Sequence, residues 1–159
     1  VGVTGHRAVA RPDEVAAVVD ALLDGLPGPL TAVSSLAEGA DRLVAHAVLA
    51  RPGGRLVALL PLDVGDYATD FADAGSVREF NELVAAADEV RVIPARPDDD
   101  DRREAAYERA GLAVLEGCDL LLALWDGAPG RGRGGTAELV AEARRRGHRL
   151  EVVSVERAR

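Results

Sequence analysis

Two short stretches carry residue types suited to an anionic, sugar-bearing ligand: Ser34-Ser35-Leu36-Ala37-Glu38-Gly39-Ala40-Asp41 and Gly132-Arg133-Gly134-Gly135-Thr136-Ala137-Glu138. Each follows an apolar, strand-like run and opens a helical pattern. A strand, a turn of small residues and a helix start leave backbone N–H groups unpaired. Those groups and the helix dipole both favour phosphate. In the second stretch, Gly134 and Gly135 let the backbone approach a phosphate closely, and Thr136 can cap the helix or bond a phosphate oxygen. The same residues also read as a flexible loop with an N-cap. In the first stretch, Ser34, Ser35 and Asp41 suit sugar hydroxyls, Gly39 permits a tight turn, and Glu38 can bind a ribose or serve as a base. A plain β-to-α connection with Asp41 in the first helical turn is the alternative. Together the two turns point to a nucleotide or nucleotide-derived ligand, without saying whether it is transformed.

Other residues could join them. Gly5-His6-Arg7 follows the first apolar run, and Arg7 can pair with a phosphate or carboxylate. Pro61 to Tyr67 and Asp126-Gly127 also follow strand-like runs. Tyr67 and Phe71 could stack on a base or anchor the core. Arg131 and Arg133 read equally as phosphate clamps or exposed charges. Cys118 opens a strand and reads as a small buried residue rather than a nucleophile. The run Asp98-Asp99-Asp100-Asp101 reads as solvated and partly a helix cap, not a metal site. The chain has no Gly-x-x-x-x-Gly-Lys-Ser/Thr loop, no Gly-x-Gly-x-x-Gly after the first strand, no zinc spacing and no nucleophile elbow. P-loop chemistry and a standard nicotinamide dehydrogenase are therefore disfavoured. Neither a cofactor nor a metal is expected.

These residues need elements to position them. Strands are predicted over 1–4, 31–35, 55–60, 89–93, 119–125 and 150–155, and helices over 12–26, 40–50, 77–87, 103–115 and 136–146. Val15, Val18, Val19, Leu22 and Leu23 follow helical spacing, with Pro12, Asp13 and Glu14 as a start signal. The unbroken apolar run Leu120-Leu121-Leu122-Ala123-Leu124 predicts a central strand buried on both faces. The alternation predicts an α/β fold, a Rossmann-like three-layer sandwich with a mostly parallel sheet. Ligands of such folds bind outside the carboxyl ends of the strands. That edge would gather Gly5 to Arg7, Ser34 to Asp41, Pro61 to Tyr67 and Asp126 to Thr136.

Length and composition bound the function. The 159 residues suit one domain, 1–159, with a sizeable core; 48% are hydrophobic and 29% charged. All 19 basic residues are arginine, and the net charge is −8. A non-specific nucleic-acid binder needs a basic surface, so nucleic acid is not the expected partner. One cysteine cannot form an internal disulfide, and no apolar run reaches the roughly 18–20 residues that span a bilayer. A cytoplasmic protein without a membrane partner is expected. The chain has no Met and is already apolar at Val1, so the natural protein is expected to start earlier.

Val3-Thr4-Gly5-His6-Arg7, Val33 to Asp41, and Asp126-Gly127 leading to Gly134-Gly135-Thr136 together resemble the SLOG superfamily, which joins DprA (Smf) with the LOG family. The second motif resembles the Ser-Gly-Leu-Ala-Arg-Gly-Ile-Asp stretch of DprA, and Gly132 to Thr136 the Gly-Gly-x-Gly-Thr loop of LOG enzymes. The resemblance implies a Rossmann-like fold with a nucleotide-type ligand over these loops. LOG enzymes hydrolyse the glycosidic bond of modified nucleoside monophosphates, with a catalytic Glu three residues after the Thr. Here that position is Leu139, and Glu138 sits one place early. One residue turns a helix face by about 100°. Arg133 also replaces the second glycine of that loop.

Three functions follow. The first is a ligand-binding or sensor module for a nucleotide or nucleotide derivative. The second is a LOG-like nucleoside 5′-monophosphate phosphoribohydrolase with Glu38 or Glu138 as acid/base. The third is a DprA-like domain that engages nucleic acid or protein. Homo-oligomerisation is open.

Overall fold

A computed structural model of the protein describes residues 1–129 and 134–158. Six strands form, β1 (Gly2–Gly5), β2 (Thr31–Ser34), β3 (Arg55–Leu60), β4 (Glu89–Val92), β5 (Leu121–Trp125) and β6 (Leu150–Ser154). Every strand pair is parallel and the order is β4-β3-β2-β1-β5-β6. The helices are α1 (Pro12–Asp24), α2 (Ala40–Leu49), α3 (Val64–Ala68), α4 (Ala74–Ala86), α5 (Arg102–Glu116) and α6 (Thr136–Arg145). The fold is the expected Rossmann-like α/β sandwich.

The apolar pattern explains the layers. Successive strand residues point to opposite faces, so Leu122 and Leu124 of β5 join one core cluster while Leu121 joins the other. The first cluster holds Val19 of α1, Val44 of α2 and Phe80 of α4; the second holds Val114 of α5 and Leu139 of α6. Leu121 and Leu124 are fully buried, each contributing about 1.5–3 kcal/mol. Helix α1 buries Val15, Val19 and Leu23, one residue per turn, after Pro12 in its first turn.

Boundaries shift by a residue or two from the expectation, with two real differences. Residues 64–68, expected as loop, form the short helix α3. Helix α4 starts at Ala74 rather than 77, because the Asp73 side chain accepts a 2.9 Å bond from the Ser76 N–H and caps it early. Among the described residues no helix is long and apolar enough to cross a membrane.

Candidate functional site

In a parallel sheet every strand delivers its following loop to the same edge. From β1 the connections step through β2 and β3 to β4 on one side, while β5 and β6 lie on the other. The order therefore reverses between β1 and β5, where a crevice opens between diverging loops. The β1 loop meets the start of α2 there: the His6 carbonyl accepts a 3.1 Å bond from the Ala40 N–H. Gly39 makes this possible. It stands at φ 76°, and a Cβ on it would lie 2.4 Å from the His6 carbonyl oxygen.

Asp41 turns inward from the first turn of α2 and is 5% exposed. Its Oδ2 accepts the Ser34 hydroxyl at 3.0 Å, and the same Ser34 oxygen accepts the Leu36 N–H at 2.9 Å. Burial pushes the Asp41 carboxyl up to about 6; the Ser34 bond and the backbone N–H groups of Ala37 and Ser35 restrain the rise. Arg42, next along, is buried against Phe71, its guanidinium carbon 4.4 Å from the ring centre. It donates to the Leu36 and Ser76 carbonyls at 3.1 and 2.8 Å and pairs with Glu79 at 3.0 Å. Arg42 thus ties the β2–α2 loop to α4.

A cavity of about 250 Å³ opens at the β1–β5 crevice. The β1 loop contributes Gly5 and Arg7, and the β2 loop Ser35 and Asp41. Tyr67 reaches it from α3, and Gly134, Gly135 and Thr136 from the start of α6. Thr4 and Thr136 face each other, Oγ1 to Oγ1, at 3.4 Å. Arg7 is exposed and makes no hydrogen bond or ion pair with a described residue. Tyr67 is fully buried, and its hydroxyl has no hydrogen-bond partner among the described residues. Burial raises the Tyr67 pKa, and the Asp41 and Tyr107 charges raise it further while Arg7 opposes them. The Tyr67 ring packs edge-on against Phe71, Phe80 and Tyr107, with centroids 4.9, 5.5 and 5.8 Å away. The ring anchors the core, and Tyr67 also lines the cavity.

Tyr107, from α5, completes the wall and was not anticipated in the sequence. Its hydroxyl donates to Asp70, which also pairs with Arg103 at 2.7 Å. Burial alone would raise the Asp70 carboxyl, but the Tyr107 and Arg103 bonds hold it below the usual range. Scarcity was the available signal: the chain has two tyrosines, and both line this cavity.

The two candidate carboxylates are engaged elsewhere. Glu38 accepts the Ala72 N–H at 2.9 Å and the Ser76 hydroxyl, bracing the β2 loop on α4. Glu138, in the first turn of α6, reaches back to accept the Gly134 N–H at 2.7 Å, one residue before the N-cap Gly135. Neither lines the cavity, whereas the Leu139 side chain does. Gly134 stands at φ 74° and packs against the α5 backbone, where a Cβ would lie 2.7 Å from the Glu108 nitrogen.

The remaining expected residues surround the crevice. His6 is buried, and burial lowers its pKa while the Asp126 carboxylate opposes the fall; its Nε2 stands 3.1 Å from the Asp126 backbone nitrogen and 3.2 Å from the Asp126 Oδ2. The Asp126 carboxylate accepts the Ala128 N–H at 2.9 Å and stands 3.2 Å from the Arg157 Nε. Gly127 is exposed at φ 80°, and Pro61 is buried just past the end of β3. Arg131, Gly132 and Arg133 lie outside the described residues. Asp101 caps α5 by accepting the Glu104 N–H at 3.2 Å. Among the described residues no group of three or more His, Cys, Asp or Glu is arranged to hold a metal ion. Cys118 is buried, and burial raises its thiol pKa.

No protein-family model matches the chain, and no curated protein matches it. Among solved structures it is similar to the X-ray structure of DNA processing protein A (DprA) from Streptococcus pneumoniae, with a TM-score of 0.65 and 20% identity. The similarity covers 95% of this chain and 48% of that one, so the chain spans about half the length of that structure. The shared property is the fold.

Proposed function

We propose that the crevice between β1 and β5 binds a nucleotide or nucleotide-derived small molecule, as a ligand-binding or sensor module. The observation that carries the reading is a cavity lined together by Arg7, the N-terminus of α6 and Tyr67, whose buried hydroxyl has no hydrogen-bond partner among the described residues. A buried hydroxyl costs about 1–3 kcal/mol when left unpaired, and a ligand oxygen relieves that cost. An unpaired guanidinium and a helix N-terminus favour a phosphate beside it. Asp41 and Ser35 offer acceptors and a hydroxyl to a sugar. In a glycosidase reading, a free carboxylate must face the ribose. Leu139 stands on that wall, Glu38 and Glu138 are bound to backbone N–H groups, and Asp41, the one carboxyl group among the lining residues, is held by the Ser34 hydroxyl.

The test is calorimetric titration of AMP into the protein and its Gly135→Asp variant. Gly135 stands at φ −76°, ψ 166°, backbone that any residue adopts. Aspartate is a favourable N-cap, so the fold survives while a carboxylate meets the incoming phosphate. Binding by the natural sequence and its loss in the variant support the reading; equal affinities sink the phosphate site.

The fold likeness to DprA favours a second reading, a domain that engages nucleic acid or protein. A net charge of −8 works against a phosphate backbone. Retardation of a single-stranded oligonucleotide at low salt, abolished by added salt, would move the balance to it.

A further inference from the structure

The cavity under Tyr67 is one of two compartments. The second, of about 300 Å³, adjoins it and shares Gly5, Arg7, Gly135 and Thr136 as a common ridge. Its far wall comes from other elements. Trp125, at the end of β5, is half-buried and fixed by a 2.9 Å bond from its indole N–H to the Ala128 carbonyl. Arg157 follows β6 and is held there by an antiparallel bridge to Val9. Flanking bonds run from Ala10 N–H to the Glu156 carbonyl and from Ala158 N–H to the Ala8 carbonyl, at 2.9 and 3.1 Å. The second compartment is thus built by tertiary pairing, not by a loose loop.

Each compartment alone sits at or below the roughly 300 Å³ at which small-molecule sites begin, and joined they lie within the usual range. Their characters differ. One side is lined by Tyr67, Tyr107 and Asp41. The other is lined by Trp125 and Arg157, residue types on which a planar base stacks. The ridge between them carries Arg7, unpaired among the described residues, and the first residues of α6, where negative charge is favoured.

Building on the nucleotide reading, we infer that the ligand is two-armed, a dinucleotide whose phosphate linkage rests on the Arg7–Thr136 ridge. One nucleoside faces Tyr67 and Asp41, and the other stacks on Trp125 beside Arg157. The ligand straddles the point where the strand order reverses.

Trp125 is the single tryptophan of the chain, so its fluorescence reports the second compartment directly. Diadenosine 5′,5′-diphosphate and AMP are titrated in parallel, with emission and calorimetric heat recorded. The expected result is quenching by the dinucleotide, at least about tenfold tighter binding than AMP, and no quenching by AMP, which occupies the Tyr67 side. Trp125→Leu brings the dinucleotide's affinity down to that of AMP, a loss of about tenfold or more, as removing a base-stacking partner does. Tyr67→Phe, nearly isosteric, weakens both ligands. AMP binding without any advantage for the dinucleotide overturns the two-armed ligand and leaves the nucleotide reading standing. Binding of neither overturns both. Should Trp125→Leu unfold, quenching of the natural protein decides alone.

Discussion

The Ser34 hydroxyl donates to the Asp41 carboxylate across 3.0 Å in a fully enclosed position, joining the last residue of β2 to the first turn of α2. The pair closes the β2–α2 loop from inside and leaves the carboxyl short of compensation for its lost hydration. Its pKa rises from 3.8 to about 6.

A pH dependence follows. An acid whose pKa is raised by folding holds its proton better in the native state. Its contribution is present in full below the unfolded value, 3.8, and is lost as pH rises through about 6. Asp41→Asn removes this titration. Between about pH 4.5 and about pH 8 the natural protein should lose about 2 kcal/mol relative to the variant. Urea unfolding of both at the two pH values measures it. A difference independent of pH would show that Asp41 ionises normally.

Gly39→Ala tests how the β1 and β2 loops meet. Alanine at φ 76°, ψ −115° is strained, and its Cβ would stand 2.4 Å from the His6 carbonyl oxygen. A loss of about 3 kcal/mol or more is expected from the unfolding midpoint. A loss under about 1 kcal/mol would mean that the loops part easily.

Arg42→Met should cost about 3 kcal/mol. It strips the buried Leu36 carbonyl of its side-chain donor and removes the cation stacked on Phe71. Arg42→Lys should recover little of it. One ammonium cannot reach the Leu36 carbonyl, the Ser76 carbonyl and Glu79 in the planar fork that Arg42 uses. Full rescue by lysine would reduce Arg42 to a simple charge.

Catalysis is tested by base release from AMP, GMP, CMP and UMP, followed by chromatography. Release no faster than in buffer is expected, since Glu38 and Glu138 are committed to backbone N–H groups. Rapid release, lost in Glu38→Gln or Glu138→Gln with ligand binding retained, would make the protein a phosphoribohydrolase.

Much of the scaffold was legible residue by residue. Strand β5 could be read from an apolar run, and α1 from Pro12 and the spacing of Val15, Val19 and Leu23. Helix α3 was not, because five residues containing Gly65 show no period. The early start of α4 hung on one side-chain bond from the Asp73 carboxylate to the Ser76 N–H. Of the candidate residues, Gly5, Arg7, Ser35, Asp41, Tyr67, Gly134, Gly135 and Thr136 line one cavity.

Local pattern by itself determined the alternation of strand and helix, and with it a parallel sheet whose loops collect at one edge. It did so because hydrophobic period and helix-start signals act over a few residues. Which residues face one another was decided only in three dimensions. Tyr107 meets Asp70 across 37 positions, Glu38 meets Ser76 across 38, and Arg157 is drawn to the β1 loop from the far end of the chain. Those pairings depend on strand order, on the reversal between β1 and β5 and on the crossing of α5 behind them. The chain packs a carboxylate wherever a nearby N–H needs an acceptor, so the same residue type can emerge as a brace or as a free group. Tertiary packing engaged Glu38 and Glu138 as braces and left the buried Tyr67 hydroxyl without a partner among the described residues.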